Sequence, residues 1–330
     1  LLDQLYRKFV YHVSESGQST LMRELSKRVE NLYCNNYLLT LNDHWQALVD
    51  VASQWQAPTI PMQSKFFTRY VEPFLRNNNK VFVVISDALR FEAAHELHSL
   101  IRQEDRYEAS IEPALAMLPS YTQMGMAALL PNRSIALTDN GSGAVQVDGQ
   151  ATQGIAYRDK VLQMAVAKGA RAIRADALLA MTKDRCRELI RDHHVVYVYH
   201  NRIDATGDKR ESEERTFAAV EEALQELIKI VKKLAAANAN NLLVTADHGF
   251  IYQHRLIEES DYSTSDPEGE QIVQKDRRFV IGRGLREKSG LRKFTAQELG
   301  LQGDLEVQIP KSINRLRLKG SGSRYAVSYT

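Results

Sequence analysis

The chain has 330 residues, 44% hydrophobic, 25% charged and 8% aromatic, with 17 Gly and 8 Pro; these values fit a globular protein and exclude collagenous or low-complexity chains. The formal net charge of +2 conceals a gradient, because Lys275 to Thr330 carries 13 Lys and Arg against 5 Asp and Glu. No apolar run approaches the ~20 residues that span a bilayer, nothing at the start reads as a signal peptide, and the first residue is Leu1 rather than Met, which predicts a piece of a longer protein.

Residues 1–60 read as a helical appendage. Leu5, Phe9, Val10 and Val13 share one face at helical spacing, and Leu21, Met22, Leu25, Val29 and Leu32 share another. Gly17 separates the two, Ser19 or Thr20 is the expected cap of the second helix, and a third helix is expected from about Asp43 to Trp55. Ala57-Pro58-Thr59-Ile60-Pro61 reads as a linker, and residues 61–330 as one further domain. There, Val81–Ile85, Val195–Tyr199 and Leu242–Thr245 are continuous β-branched and aromatic runs, the pattern of strands buried on both faces. A helix follows the first run through Phe91, Ala94, Leu97 and Leu100. A longer one, about Glu211 to Ala237, carries Phe217, Val220, Leu224, Leu227, Ile228 and Val231 on one stripe. Residues 134–153 read as short strands and turns. Strand and helix alternating at this spacing predict an α/β fold with a mainly parallel sheet flanked by helices.

The three runs end in similar chemistry: Ser86-Asp87, then His200-Asn201-Arg202-Ile203-Asp204 with Asp208 four residues on, then Asp247-His248-Gly249. Ligands of open α/β sheets bind beyond the carboxyl ends of the strands, so Asp87, Asp204, Asp208, Asp247 and His248 are expected at one rim. Singly, Asp87 reads as a helix cap, Asp247-His248-Gly249 as a turn, and Asp204 and Asp208 as partners of Arg202 and Arg210. Together, converging carboxylates need cations, and oxygen and imidazole donors suit zinc, manganese or magnesium. Between the first two acids, Thr122 begins a short apolar helix, Met124 to Leu130, closed by Pro131. Free amides at a helix start favour an anion, and a Thr oxygen there is placed to attack phosphorus. Ser120 is the competing nucleophile, and either residue could instead be a plain helix cap. Cys34 and Cys186 lack the spacing of a thiolate zinc site; both are expected as small buried side chains in a reducing cytoplasm.

The order Asp87, Thr122, Asp204, Asp247-His248 resembles the alkaline phosphatase superfamily. More narrowly, Ile85-Ser86-Asp87-Ala88-Leu89-Arg90, Leu118-Pro119-Ser120-Tyr121-Thr122-Gln123 and Thr245-Ala246-Asp247-His248-Gly249-Phe250 resemble the PglZ family of bacteriophage-exclusion (BREX) defence systems, over roughly residues 77–325. The resemblance implies an alkaline-phosphatase-like fold and one metal, zinc first, held by Asp87, Thr122, Asp247 and His248, with Thr122 also the nucleophile. It implies a second metal at Asp204 and the residue four beyond it. That residue is Asp208 where superfamily members usually have His, and no His follows His254. A sparsely held second site is therefore expected, completed by His200 or by a His of a longer parent chain.

The leading expectation is a metal-dependent phosphoester hydrolase, a phosphatase or a phosphodiesterase acting on nucleic acid, with Thr122 phosphorylated in the course of the reaction. The basic stretch Lys311, Arg315, Arg317, Lys319 and Arg324 suits a polyanion or a solvated edge. The alternative is a phosphatase-like assembly module of low activity that scaffolds a BREX complex. Other BREX proteins are expected partners under both, and a membrane under neither. A sulfatase or mutase on the same scaffold fits less well, since no Cys lies near Thr122.

Overall fold

The computed structural model describes residues 1–17, 20–104, 106–207, 215–254, 258–318 and 328–329. The architecture is mixed α/β in two compact units, one of Leu1–Trp55, Ala205–Ala219 and Phe250–Thr330, the other of Gln56–Asp204 and Val220–Gly249. No helix among the described residues is long and apolar enough to cross a membrane.

The first unit opens with helices α1 (Leu2–Glu15), α2 (Arg23–Asn31) and α3 (Leu39–Val51). Gly17, at φ +64°, breaks the chain after α1. Helix α2 starts from Met22 without a side-chain cap; Thr20 sits in the preceding turn and does not cap it, and Ser19 lies outside the described residues. Contrary to the periodicity, Leu5, Leu21, Leu25 and Leu32 are exposed, and the buried positions are Tyr6, Val10, Tyr33, Cys34 and Leu38. A π-helical stretch, Leu32–Leu38, lies between α2 and α3; its wider turn departs from the 3.6-residue register there, and the Tyr33 ring in it stacks on Tyr6 at 3.7 Å. The same stretch runs directly into α3, which begins at Leu39 rather than Asp43 and ends four residues before Trp55.

The second unit contains α4 (Glu72–Arg76), β1 (Val81–Ser86), α5 (Phe91–Arg102), α6 (Thr122–Ala128), β2 (Ile135–Leu137), β3 (Val145–Val147), β4 (Gln150–Ala151) and α7 (Ile155–Ala165). There follow β5 (Ala170–Arg174), α8 (Ala175–Ala180), α9 (Lys183–Asp192), β6 (Val195–His200) and β7 (Leu242–Thr245), while α10 (Ile203–Gly207) and α11 (Thr216–Ala236) each fall partly in either unit. Its main sheet has the order β5-β6-β1-β7, parallel throughout. The register sets Ser86 opposite His200 and Ile85 opposite Thr245, so the three acid-bearing strand ends lie side by side. β1 and β6 are buried along their whole length, as β-branched residues on both faces require. β7 is half-buried, because it forms an edge of the sheet rather than its interior. The opposite edge, β5, was not expected: Ala170-Arg171-Ala172-Ile173-Arg174 is poor in strand formers, and its arginines face outward where only an edge strand tolerates them. Helix α7 packs on β5, and α8 on β5 and β6. β2, β3 and β4 form a small antiparallel sheet, turned at Asp148-Gly149 with both residues at positive φ, the signature of a tight hairpin.

The first unit continues with β8 (Phe250–Ile251), β9 (Gln271–Lys275), β10 (Val280–Arg283), β11 (Leu291–Phe294), β12 (Glu306–Pro310) and β13 (Ser328–Tyr329). An antiparallel sheet of order β11-β12-β10-β9 covers Val280, Leu285, Leu291 and Leu316. Helix α3 is tied to its loops by Lys311 to Asp50 at 2.8 Å and by Ser312 Oγ donating to Asp43 at 2.6 Å. The basic stretch thus has acidic relief from residues remote in sequence. Lys311 pairs with Asp50, Arg317 pairs with Glu259 and lies over the Tyr262 ring, and Arg315 is buried and donates to Gln253. Lys319 and Arg324 lie outside the described residues. Cys34 and Cys186 are both buried, as expected, and form no disulfide with each other.

Candidate metal centre

The site forms in the second unit, beyond the carboxyl ends of β1, β6 and β7. Asp87 follows the last residue of β1, and its backbone N–H donates to the His200 carbonyl at 2.8 Å. Asp247 and His248 occupy the turn after β7, and all three side chains are buried. One ligand atom from each of Asp87, Asp247 and His248 lies within 4.8 Å of the others, a cluster suited to holding a metal ion.

The orientation of His248 follows from its neighbours. Its Nδ1 is 2.9 Å from the Gly249 carbonyl oxygen, which can only accept, so Nδ1 carries the proton and Nε2 presents its lone pair. His248 Nε2 lies 3.5 Å from Asp87 Oδ1 and 3.5 Å from Asp247 Oδ2. Those two carboxylate oxygens are buried and accept no hydrogen bond, an expensive arrangement for carboxylates unless a cation joins them. Bonds of about 2.0–2.2 Å to zinc imply ligand–ligand edges of roughly 3.3–3.6 Å in a tetrahedron, so the donor set fits a small divalent ion. Burial raises the Asp87 carboxyl well above the usual Asp range, reinforced by the charges of Asp247 and Asp204. Burial also raises Asp247, against the hydrogen bond it accepts from Ala88 N–H. Burial thus disfavours ionisation of the pair, and a divalent cation would favour it.

Thr122 is the first residue of α6. Its Oγ1 is 3.1 Å from His248 Nε2. The residue capping the helix is Tyr121, without a side-chain cap bond, so neither Thr122 nor Ser120 is spent on capping. Ser120 forms no hydrogen bond to the cluster. Asp204, in the first turn of α10, is half-buried and acts on Asp87 and Asp247 through its charge, but it stands outside the compact group. Asp208 lies outside the described residues. His200 is engaged at both ring nitrogens, Nδ1 with Ser86 Oγ at 2.9 Å and Nε2 with Glu226 at 3.0 Å. It is a packed, hydrogen-bonded residue, and burial lowers its pKa despite Glu226.

Three supporting residues were not singled out by the sequence. Ala88, at φ +61°, adopts a left-handed conformation costly for Ala, and this aims its N–H at Asp247 Oδ1 at 3.0 Å. Gly125 packs against the same turn so closely that a Cβ would lie 2.2 Å from the Asp247 carbonyl oxygen. Buried Gln63 donates to the carbonyls of Ala246 and Asp247 at 3.0 and 2.6 Å, and accepts from Met117 N–H at 3.2 Å. A positive φ or a clash at a virtual Cβ is a property of the folded backbone; only the presence of a Gly in the run after Thr122 was visible beforehand.

Fold and site together define an α/β protein with a buried carboxylate–imidazole centre at the ends of parallel strands. Residues 66–327 match the family described as the BREX system PglZ alkaline phosphatase-like domain, and the chain belongs to that family. It is 37% identical over 332 residues to an alkaline phosphatase-like protein BrxZ of Escherichia coli O9:H4 (strain HS). It is 33% identical over 328 residues to an alkaline phosphatase-like protein PglZ of Bacillus cereus (strain H3081.97). Each match takes in 98% of this chain and 38% of the relative, so the chain spans well under half the length of either.

Proposed function

We propose that the chain is the catalytic domain of a metal-dependent phosphoester hydrolase acting within a phage-defence system in the cytoplasm, with Thr122 as nucleophile. The observation that carries this reading is the contact of Thr122 Oγ1 with His248 Nε2, at the edge of a buried cluster that retains two unpartnered carboxylate oxygens. Asp87, Thr122, Asp247 and His248 would hold one divalent ion, zinc by its fit to this donor set; Asp204 and Asp208 would contribute to a second. An ion there supplies Lewis-acid stabilisation of negative charge on the attacking and phosphoryl oxygens. The chain does the rest. Gly249 fixes the His248 tautomer, and Ala88 N–H orients Asp247. The start of α6 holds the Thr122 hydroxyl at the cluster, from which it attacks phosphorus in line with the leaving oxygen. The phosphorylated Thr122 is then returned by water.

Substrates are phosphoesters, mono- or diesters, nucleic acid among them, and the partners are other BREX proteins. Residues 61–330 would form the phosphatase-like domain and residues 1–60 its helical appendage. The test is release of an aryl alcohol from generic phosphomono- and diesters with zinc, manganese or magnesium. The expected result is metal-dependent release that is abolished in Asp87→Ala; equal release by the two proteins would refute the reading.

A further inference from the structure

The turn carrying Asp247 and His248 and the segment leading to Thr122 are remote in sequence, Thr122 and His248 being 126 residues apart, and their separation decides whether hydroxyl and imidazole meet. Buried Gln63 joins them with one amide. Its Nε2 spans the carbonyls of Ala246 and Asp247, and its Oε1 receives Met117 N–H, five residues before Thr122. From the other side Gly125, on α6 one turn beyond Thr122, admits the Asp247 carbonyl where any Cβ would collide. The amide thus satisfies three backbone groups that have no sheet or helix to serve them, an accounting a buried polar side chain must meet.

We infer that Gln63 is a positioning residue of the site: it clamps the Asp247–His248 turn to the strand of chain ahead of Thr122, and with Gly125 fixes the Thr122–His248 distance. The inference rests on the hydrolase reading for its catalytic consequence but not for its geometry. Misplacing an attacking group by about 1 Å costs on the order of 10²-fold in rate. Gln63→Met keeps the side-chain length and removes all three hydrogen bonds. Gly125→Ala displaces the Asp247 carbonyl from the α6 side and leaves the Gln63 amide itself in place.

The experiment compares wild type with both variants in three readouts: amide exchange at Met117 in the metal-free protein, the visible spectrum with cobalt(II), and turnover of an aryl phosphoester per bound metal. For Gln63→Met the expected result is faster Met117 exchange, a shifted cobalt band and about a 100-fold lower kcat with KM nearly unchanged. Gly125→Ala should reproduce the last two, and Gln63→Glu, which keeps the bond from Met117 N–H and loses both donors, decides the matter if Gln63→Met fails to fold. Wild-type spectra and kcat in the folded variants overturn the clamp and leave Gln63 a merely structural residue. A wild type that binds cobalt(II) without turnover overturns the hydrolase reading, while the spectra still decide the clamp; a wild type without a cobalt band overturns the metal reading, and Met117 exchange then decides the clamp.

Discussion

Thr122 and Ser120 differ by two positions and one hydrogen bond. Thr122 Oγ1 reaches His248, and the capping role that either could have filled belongs to the backbone of Tyr121. Thr122→Ala should therefore cost little stability, below about 1 kcal/mol, while lowering kcat by several orders of magnitude; Ser120→Ala should be mild. Thermal melts beside turnover of an aryl phosphoester check this, and the reverse ranking would make Ser120 the nucleophile. The same scale gives a pH effect. Asp87 and Asp247 have folded pKa values raised by burial. Their contribution to stability is fully present below the ordinary Asp value and is lost as pH rises through the raised ones. A divalent ion binds the ionised pair and offsets that loss. The rise in Tm on adding zinc to chelator-treated protein should thus be larger at about pH 8 than at about pH 5; a shift independent of pH would place the ion elsewhere. These acids were legible in the sequence because each lies within two residues of a strand's end. Gln63 was not, because its three partners lie 54 to 184 residues away and no local spacing announces them.

Elements were legible where one physical signal governed them. β1 and β6 read as buried strands because both faces are covered, and the hairpin around Asp148-Gly149 because its residues suit positive φ. Period-based reading failed where an irregular turn intervened, as at Leu32–Leu38, and at the sheet edge β5; Leu242–Thr245 was legible as a strand, and only its burial on both faces differs, since β7 is the other edge. The antiparallel sheet β9 to β12 escaped notice because its runs are short and charged, and their pairing is non-local. One bond couples the two site-bearing elements β6 and α6: Tyr197, fully buried in β6, donates its hydroxyl to the Leu129 carbonyl at the end of α6 at 2.9 Å. Tyr197→Phe leaves that carbonyl unpaired and should cost about 1–3 kcal/mol. Denaturant melts read the loss directly, and an unchanged midpoint would show that the bond contributes nothing net.

At the scale of the molecule, the five candidate residues that can be placed belong to one of the two units. Asp87, Thr122, Asp204, Asp247 and His248 all fall within Gln56–Asp204 and Val220–Gly249. Metal content should follow from how unequally they are grouped. Asp87, Asp247 and His248 converge with Thr122 beside them, enough donors for a closed tetrahedral shell when the Thr122 oxygen takes part. Asp204 is half-buried and set apart, and the nearest extra imidazole, His200, already serves Ser86 and Glu226. Two carboxylates hold a small divalent ion much less firmly than a set that includes imidazole. Purified protein should therefore carry closer to one metal than two per chain, with the second entering only at high metal concentration. His200→Gln should leave the first metal in place, since both ring nitrogens are engaged by Ser86 and Glu226 and the cluster is formed by other residues. Elemental analysis of wild type and His200→Gln after desalting checks both points. Two tightly held ions in wild type, falling to one in the variant, would show that His200 leaves Glu226 to complete the second shell.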